Sequence, residues 1–355
     1  MESQKRTEIK DLGEFGLIDH LTHSFESQNK STIKGVGDDA AVIDRGAYYE
    51  LVSTDVLVEG IHFDLSYTPL KHLGYKAVAV NISDIAAMNG VAEQITVSIA
   101  ISNRVSIEAL DALYDGIKVA CGDYKVDLVG GDTTSSLSGL MISITAIGKV
   151  DKNKVVYRDG AKIGDVVCVT GELGGAYMGL QILEREKQVF LDAPGAQPKL
   201  EEFNYIVQRL LKPRARMDVI HDLNELGAVP SSMIDISDGL ASELHHIAKQ
   251  SQVGFKIIDE NIPVNNETYE TALTLNIGPV TCAMNGGEDY ELLFTISREG
   301  YEKIKTHFDI VGIGEVVAKE EGVNIVTKAG RAHPITAQGW NHFNDEDEDE
   351  DEDEA

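Results

Sequence analysis

Hydrophobic and polar positions change period several times along the first half of the chain, which predicts alternating strands and helices. Apolar residues alternate with polar ones at 95–101, as in a half-buried strand, whereas their spacing at 106–121 is helical and follows a serine N-cap. A second helix is predicted at about 68–89, where Thr68 and Pro69 give the N-cap and first-turn signals. Further strands are predicted at residues 48–53, 127–129 and 140–150.

The second half shows the same alternation after a glycine turn at 160–164, where an apolar strand at 166–170 leads into the glycine-rich segment 171–175. A length of 355 residues exceeds one ordinary core. We therefore expect an α/β fold with mixed (α+β) sheets, divided into an N-terminal domain at 1–150 and a C-terminal α/β domain at 151–344. Further helices are predicted at 200–211, 215–226 and 240–249, and further strands at 233–236, 254–258, 290–296, 311–317 and 323–327.

The chain is strongly acidic, with 31 basic against 59 acidic residues and a formal net charge of −28. Residues 345–354 are ten consecutive acids, and 49 acidic residues remain without them, so the body of the protein is acidic as well. Such a surface repels a phosphate backbone, which argues against nucleic acid as a partner. The segment 345–355 cannot bury apolar area, and we expect it to be a disordered tail.

Cysteine usage and hydropathy exclude several other classes of protein. Cys121, Cys168 and Cys282 are widely spaced and form no CxxC pattern, so we expect buried thiols and neither disulfides nor structural zinc. No apolar stretch reaches the about 18–20 residues of a membrane span, and residues 1–10 lack the apolar core of a signal peptide. These features predict a cytoplasmic protein without a membrane partner.

Aspartates recur beside small residues, at positions that the pattern places at strand ends and turns. Glycines at such positions allow backbone amides to approach a bound anion. Several carboxylates brought to one place would repel each other unless divalent cations neutralised them, and oxygen ligands suit Mg²⁺, which usually retains waters and substrate phosphates. The pattern therefore indicates a polyphosphate bound through magnesium. The motifs are Gly-Val-Gly-Asp-Asp at 35–39, Ser-Thr-Asp at 53–55, Asn-Ile-Ser-Asp at 81–84, Gly-Gly-Asp-Thr-Thr at 130–134 and Asp-Ile-Ser-Asp-Gly at 235–239.

An isolated aspartate beside glycine is usually a turn residue, but Asp84 differs because it falls inside a predicted helix. Asn81 lies three residues earlier on the same face, among otherwise apolar positions. Such a carboxylate needs a partner, which is either a metal ion or a set of hydrogen-bond donors.

Two standard nucleotide-binding motifs do not apply. Residues 35–40 fit a GxGxxA pattern, but no apolar strand precedes them and residues 41–49 do not form a helix, so a dinucleotide-binding turn is excluded. The chain also has no GxxxxGK[ST] segment. If the protein binds ATP, it does so outside the P-loop and protein-kinase designs.

Four further residues each have a structural and a functional interpretation. Arg158 can clamp a phosphate or form a surface ion pair, and His62 can bind a ligand or be a partly buried, hydrogen-bonded histidine. Glu288 lies in the acidic turn before a strand, which is either a binding loop or a plain turn. Trp340 can cap the core or stack on a planar ligand.

As a set, these motifs resemble the thiamine-monophosphate kinase family, within the superfamily of aminoimidazole ribonucleotide synthetase and selenophosphate synthetase. The resemblance covers residues 14–343. It implies a two-domain synthetase-like fold, in which an N-terminal ATP- and metal-binding domain forms a homodimer and ATP lies between the domains. It rests on the motifs above together with Gly-Ile-His-Phe at 60–63, the longer segment 79–88 and Gly-Gly-Glu-Asp-Tyr-Glu-Leu at 286–292.

The resemblance also implies roles for individual residues. It implies magnesium ligation by Asp39, Ser53, Thr54, Asp55, Asp84, Asp132, Asp235 and Asp238, with Asp38 beside them. It implies ATP contacts for Gly131, Asp132, Arg158 and Ser237, and thiamine monophosphate contacts for His62, Glu288 and Trp340. The acidic tail has no counterpart in the family pattern.

The implied reaction is magnesium-dependent, in-line transfer of the ATP γ-phosphoryl group to thiamine monophosphate. Because the acceptor phosphate is largely ionised at pH 7, no residue is expected to act as a general base. Selenophosphate synthetase is disfavoured, since the first cysteine is Cys121, in a predicted helix. An aminoimidazole ribonucleotide synthetase-like enzyme and a non-catalytic acidic metal-binding protein remain alternatives.

Overall fold

The first half of the chain forms a six-stranded mixed sheet in a computed structural model that describes residues 12–195 and 197–336. The strands follow the spatial order β1-β2-β3-β6-β4-β5, and β4 and β5 are parallel while the other neighbours are antiparallel. The strands are β1 (Thr32–Lys34), β2 (Ala41–Asp44), β3 (Tyr49–Val58), β4 (Val91–Ile101), β5 (Asp127–Ser135) and β6 (Met141–Val150). The helices are α1 (Gly13–Thr22), α2 (Leu70–Ala87) and α3 (Ile107–Tyr124).

Helix α2 is the central buried element of this half. Ile82 and Ile85 are fully buried and share a hydrophobic core with Leu51, Ile95 and Ile142 of the sheet. Burial of this apolar surface drives the helix onto the sheet. Helix α3 starts as expected, since the Ser106 hydroxyl accepts a hydrogen bond from the Ala109 amide at 3.2 Å.

Helices α2 and α3 pack closely because glycines face each other at their crossing. A Cβ at Gly116 would overlap the Lys71 carbonyl oxygen, and a Cβ at Gly74 would overlap the Leu113 carbonyl oxygen. The backbones therefore approach more closely than alanine would allow.

The second half forms a seven-stranded mixed sheet in the order β13-β12-β9-β11-β7-β10-β8, in which β9 and β12 are parallel. Its strands are β7 (Val166–Thr170), β8 (Ser232–Asp235), β9 (Gly254–Ile258), β10 (Leu292–Ile296), β11 (Ile310–Val317), β12 (Val323–Val326) and β13 (Ala332–Pro334). Its helices are α4 (Gly175–Asp192), α5 (Asn204–Leu211), α6 (Met217–Glu225), α7 (Leu240–Ser251), α8 (Asn266–Thr274), α9 (Pro279–Asn285) and α10 (Arg298–Ile304). The structure thus confirms the predicted α/β class with mixed sheets.

Two strands of the first sheet are longer than the sequence pattern predicts. Strand β3 continues to Val58 and β5 to Ser135, so Asp55 and Asp132 lie inside strands and the prediction that they occupy strand ends or turns is wrong. Strand β3 pairs with β6 along all ten residues, and this pairing overrides the weak strand propensity of serine and aspartate. Helix α2 also differs, because Pro69 and not Thr68 occupies its N-cap position.

The predicted domain boundary at residue 150 separates the two sheets. Strand β6 ends at Val150 and β7 begins at Val166. We propose residues 1–150 and 151–344 as the two domains. The predicted tail at 345–355 lies outside the described residues.

We expect Gly116→Ala to lower the free energy of unfolding by about 3 kcal/mol, since overpacking at the crossing outweighs the gain in helix propensity. The control is Gly122→Ala, on an exposed position of the same helix where a Cβ meets nothing within 4 Å. That control should raise stability by up to about 1 kcal/mol. Urea denaturation midpoints measure both effects, and equal midpoints for the two variants would contradict the packing argument.

Candidate active site

Three carboxylates from distant parts of the chain meet at one point. Asp39, Asp84 and Asp235 each offer an oxygen, and these oxygens lie within 4.8 Å of one another. Asp39 follows the glycine-rich loop before β2, Asp84 lies near the end of α2, and Asp235 ends β8. The cluster therefore joins the two halves of the chain.

Hydroxyl groups orient two of these carboxylates. The Ser83 hydroxyl donates to Asp235 Oδ2 at 2.6 Å, and the Ser53 hydroxyl donates to Asp84. Ser83 precedes Asp84 on α2, so one turn of this helix supplies both a carboxylate and a donor to its neighbour. Asp84 thus combines both interpretations left open by the sequence: it is hydrogen-bonded, and it lies in a cluster that can hold a metal ion.

Asp55 lies beside the cluster on β3. The Asn81 side-chain oxygen accepts a hydrogen bond from the Asp55 amide at 2.9 Å, which ties this part of the strand to α2. Burial raises the pKa of Asp55 to about 6, with repulsion from Glu288 and Asp39 adding to the shift.

The same forces act on the cluster itself. Burial raises the pKa of Asp235 to about 7, and the neighbouring Asp39 adds to the shift. Burial and then the charges of Asp55 and Asp235 raise the pKa of Asp84 well above its ordinary value. Burial and the adjacent Asp39 raise the pKa of Asp38 to about 6. In each case burial is the largest cause and a neighbouring carboxylate adds to it, so a positive charge placed among these groups would favour their ionised forms.

Arg158 supplies one such positive charge. Its guanidinium donates to Asp39 Oδ1 at 2.7 Å, and its backbone amide donates to Asp38 Oδ1 at 3.1 Å. Burial lowers the pKa of Arg158, but the charge and hydrogen bond of Asp39, together with the charges of Glu243 and Asp38, more than offset this, so the pKa is raised overall. Of the two interpretations of Arg158, the structure shows an ion pair, and it places that pair within the carboxylate cluster.

The donor set fits a divalent cation. The Oδ2 atom of Asp39 is buried and has no hydrogen-bond partner among the described residues, while the buried Oδ2 atom of Asp38 forms an ion pair with the Lys34 ammonium at 3.3 Å. Carboxylate oxygens at this spacing are the ligands that Mg²⁺ and Ca²⁺ accept. A bound cation would satisfy these oxygens and offset their mutual repulsion.

The loop at 286–290 packs against the loop that follows β8. The Glu288 amide donates to the Ser237 carbonyl at 2.7 Å, and the Tyr290 amide donates to the Ile236 carbonyl at 2.9 Å. A Cβ at Gly287 would overlap the Ser237 carbonyl oxygen, so glycine is required for this contact. The loop thereby places Glu288 and Tyr290 near the carboxylates, and Tyr290 is buried there.

Two of the predicted acceptor-binding residues meet at Lys76 of α2. The Lys76 ammonium forms an ion pair with Glu288 and donates to the His62 carbonyl oxygen at 3.4 Å. The His62 ring nitrogen Nδ1 accepts a hydrogen bond from the Val58 amide at 3.1 Å. The third predicted acceptor-binding residue, Trp340, lies outside the described residues.

The structure does not bring every predicted metal or ATP residue to the cluster. Asp55 pairs with Ile144, Ile144 with Val97 and Val97 with Gly131, so Asp55 and Gly131 lie in one row across the sheet. Side chains alternate between the two faces along each strand. Asp132, the residue after Gly131, therefore faces the side of the sheet opposite Asp55. The exposed Asp132 carboxylate accepts from the Thr133 amide at 2.8 Å. Thr54 is also exposed, and its hydroxyl donates to the Ile144 carbonyl at 3.1 Å.

Asp238 follows Asp235 by three residues and contacts a residue that the sequence motifs did not indicate. The Asp238 amide donates to Glu243 Oε1 at 3.0 Å, and Glu243 on α7 is buried. Burial, followed by the Asp238 charge, raises the pKa of Glu243 well above its ordinary value. Both Glu243 and Lys76 were missed. Glu243 is a lone charged residue in an amphipathic helix, which carries no distinguishing pattern, whereas Lys76 lies among apolar positions of α2 and could have been recognised, like Asp84, as a charge that needs a partner. Asn81 was recognised by its spacing from Asp84.

Comparison with known proteins assigns the family. Residues 37–150 match AIR synthase related protein, N-terminal domain, and residues 162–326 match AIR synthase related protein, C-terminal domain. The thiamine-monophosphate kinase of Aquifex aeolicus (strain VF5) is 35% identical over 336 residues, which cover 94% of this chain and 99% of that protein. The chain belongs to the thiamine-monophosphate kinase family. The family resemblance read from the motifs is therefore confirmed.

Other members of the thiamine-monophosphate kinase family agree. The enzyme of Bacillus subtilis (strain 168) is 34% identical over 340 residues, 94% of this chain and all of that protein. A solved structure described as AaThiL complexed with AMPPCP and TMP has 33% sequence identity and a TM-score of 0.83, covering 96% of this chain and 100% of that chain. Across residues 12–195 and 197–336, no helix has the length and apolar character of a membrane span.

We expect Asp84→Asn to stabilise the metal-free protein at pH 7.5 by about 1–3 kcal/mol, because it removes one of the repelling buried charges. The raised carboxyl pKa values mean that the folded state binds more protons than the unfolded state between about pH 4 and 7, so wild-type stability falls as the pH rises through this window. The advantage of the variant should therefore vanish near pH 4. Melting temperatures in EDTA test this.

Excess Mg²⁺ should reverse the order, since the wild type binds the cation better and gains more stability from it. The conclusion that these carboxylates repel would fail if Asp84→Asn melted below the wild type in EDTA at pH 7.5.

Proposed function

We propose that this protein is a thiamine-monophosphate kinase, which transfers the γ-phosphoryl group of ATP to the phosphate of thiamine monophosphate and releases thiamine diphosphate and ADP. The observation that carries the proposal is the match along 96% of this chain to AaThiL complexed with AMPPCP and TMP. The carboxylate cluster at the junction of the two domains is consistent with such a reaction.

Magnesium is part of this proposal, and the cluster suits it. When bound, Mg²⁺ neutralises charge on the phosphate oxygens of ATP and on the transferred group. Asp39, Asp84 and Asp235 are its best-supported ligands, because their oxygens are already close together. The proposed set also contains Ser53, Thr54, Asp55, Asp132 and Asp238, of which Thr54 and Asp132 would have to contribute from the other face or edge of the sheet.

Four residues are the proposed contacts of ATP, and Arg158 is the one with a positive charge. The Arg158 guanidinium is held at the cluster by Asp39 and can donate to a phosphate oxygen placed beside that carboxylate. The remaining proposed contacts come from the loop after β8 and from the edge strand β5, namely Ser237, Gly131 and Asp132.

The acceptor phosphate needs positioning more than activation. Because it is already ionised near pH 7, it can attack the γ-phosphorus in line without losing a proton to the protein. His62 and Glu288 are proposed to hold the thiamine portion, together with Trp340. The structure supports the first two by placing them around one lysine beside the cluster.

We also propose that the protein forms a homodimer and that it acts in the cytoplasm, where ATP is available. Strand β5 is an uncovered sheet edge on which all nine residues are exposed, including the apolar Leu128 and Val129. Exposed strand edges with apolar residues are usually covered in stable proteins. A second copy of the chain is the proposed cover.

We expect Asp235→Asn to reduce kcat at least about 10³-fold while the fold is retained, because the variant removes a proposed metal ligand and leaves a buried amide of similar size. The control is Asp111→Asn, an exposed position on α3, which should leave activity unchanged. Thiamine diphosphate and ADP are followed by chromatography with and without Mg²⁺. Wild-type turnover by Asp235→Asn would contradict the metal assignment.

The same assay separates the alternatives. Equal, magnesium-dependent formation of thiamine diphosphate and ADP supports the kinase. ADP formed with aminoimidazole ribonucleotide precursors, but not with thiamine monophosphate, would indicate an aminoimidazole ribonucleotide synthetase-like enzyme. Metal binding without ATP affinity in calorimetry would indicate a non-catalytic metal-binding protein.

Light scattering should give a mass of about 77 kDa, twice the 38.6 kDa of one chain. Leu128→Glu on the exposed edge strand should shift this mass towards the monomer, since a buried charge opposes association. A wild-type mass of one chain would contradict the dimer.

A further inference from the structure

Lys76 is a buried cation for which the family motifs provide no role. Its side chain is only 3% exposed, because it lies on helix α2, most of whose residues are buried, and its immediate neighbours are apolar. Removing an ammonium group from water costs free energy that an apolar side chain of similar length would not. Packing of α2 therefore does not explain why the position is charged.

The partners of Lys76 point to the acceptor side of the site. Its ammonium forms an ion pair with the Glu288 carboxylate and donates to the His62 carbonyl oxygen at 3.4 Å. Glu288 is also close enough to Asp55 for the two carboxylates to repel each other. Without a counter-charge, Glu288 would be pushed away from the carboxylate cluster.

The backbone of the Glu288 loop is held separately, by the C-terminal domain. The Asp289 carboxylate accepts hydrogen bonds from the amides of Gly174 at 2.6 Å and Ala176 at 3.3 Å, at the start of α4. Glu288 and Tyr290, on either side of Asp289, have φ angles of 71° and 50°, so both lie in the left-handed region that non-glycine residues rarely adopt. Asp289 fixes the loop, and the Glu288 carboxylate then has two partners: the Lys76 ammonium, which forms an ion pair with it, and the Tyr290 hydroxyl, which donates a long hydrogen bond to Glu288 Oε1 at 3.5 Å.

We propose that Lys76 is a positioning residue for the acceptor, which acts by holding the Glu288 carboxylate in its binding orientation and does not itself touch the acceptor. This inference rests on the proposed kinase function and on Glu288 as an acceptor contact. The link runs from α2 of the N-terminal domain to the loop before β10 in the C-terminal domain, so the acceptor side of the site is assembled only when both domains are in place.

A double-mutant cycle tests the proposal. The variants are Lys76→Met, Glu288→Gln and the combination of the two, with KM for thiamine monophosphate and KM for ATP measured separately. The control is Lys71→Met, which removes the same charge from an exposed position on the same helix. Melting temperatures accompany the kinetics, because Lys76→Met leaves Glu288 without its counter-charge.

We expect Lys76→Met and Glu288→Gln each to raise KM for thiamine monophosphate by about 10-fold or more, with KM for ATP changed less than about 2-fold. The double variant should show the same KM as Glu288→Gln alone, since Lys76 has no effect once its partner is neutral. The double variant contains no unpaired buried charge, whereas each single variant leaves one, so melting temperatures of all three variants are compared. The KM of the double variant against the wild type remains informative if a single variant fails to fold. Lys71→Met should behave as the wild type.

Three results would overturn the proposal. If the increase in KM for thiamine monophosphate in the double variant equalled the product of the increases in the two single variants, Lys76 would bind the acceptor directly. An unchanged KM for thiamine monophosphate in Lys76→Met, or equal increases for acceptor and ATP, would show a role in the general structure of the site. A wild-type protein that forms no thiamine diphosphate would instead refute the proposed function, and that result is distinct from all three.

Discussion

Repulsion between buried carboxylates is the constraint on which the rest of this structure depends. Asp39, Asp84 and Asp235 bring oxygens within 4.8 Å of one another, and each comes from a different segment of the chain. In the low dielectric of a protein interior such a group is held together only by opposing charges and hydrogen-bond donors. Arg158 and the serine hydroxyls supply part of this stabilisation, and the proposed magnesium ion would supply more. The site therefore suits the metal ion that the proposed reaction would use.

Helix α2 meets this constraint because its burial is strong enough to hold the charged residues in place. Its apolar side chains form one core with the first sheet, and the core extends to Phe294 in the second. The glycine contact with α3 fixes its position from the other side. Two charged residues of α2 then lie at the candidate site, with Lys76 paired to Glu288 and Asp84 in the carboxylate cluster. One rigid element therefore sets the spacing between the two ends of the proposed substrate site.

Several features could be predicted from local sequence because they are decided by local physics. Helix α3 starts after Ser106, and strand β7 has the predicted bounds, since an N-cap and an apolar run each act over a few residues. Short elements such as α8 to α10 and β13 were not predicted, because seven to nine helical residues or three strand residues show little periodicity. The true length of β3 and β5 was missed for another reason: pairing with a neighbouring strand can extend a strand through residues of low strand propensity.

The residue types of this sequence by themselves determined the fold class, the acidic chemistry and the family, because these depend on pattern and motif alone. Only the tertiary structure decided which aspartates meet. It placed Asp39, Asp84 and Asp235 together, put Asp132 on the opposite face of the sheet from Asp55, and brought Lys76 to Glu288 across 212 residues of sequence. The reason is that a carboxylate or an ammonium has no preferred partner along the chain. Its neighbours, and hence its pKa and its role, follow from how helices and sheets pack.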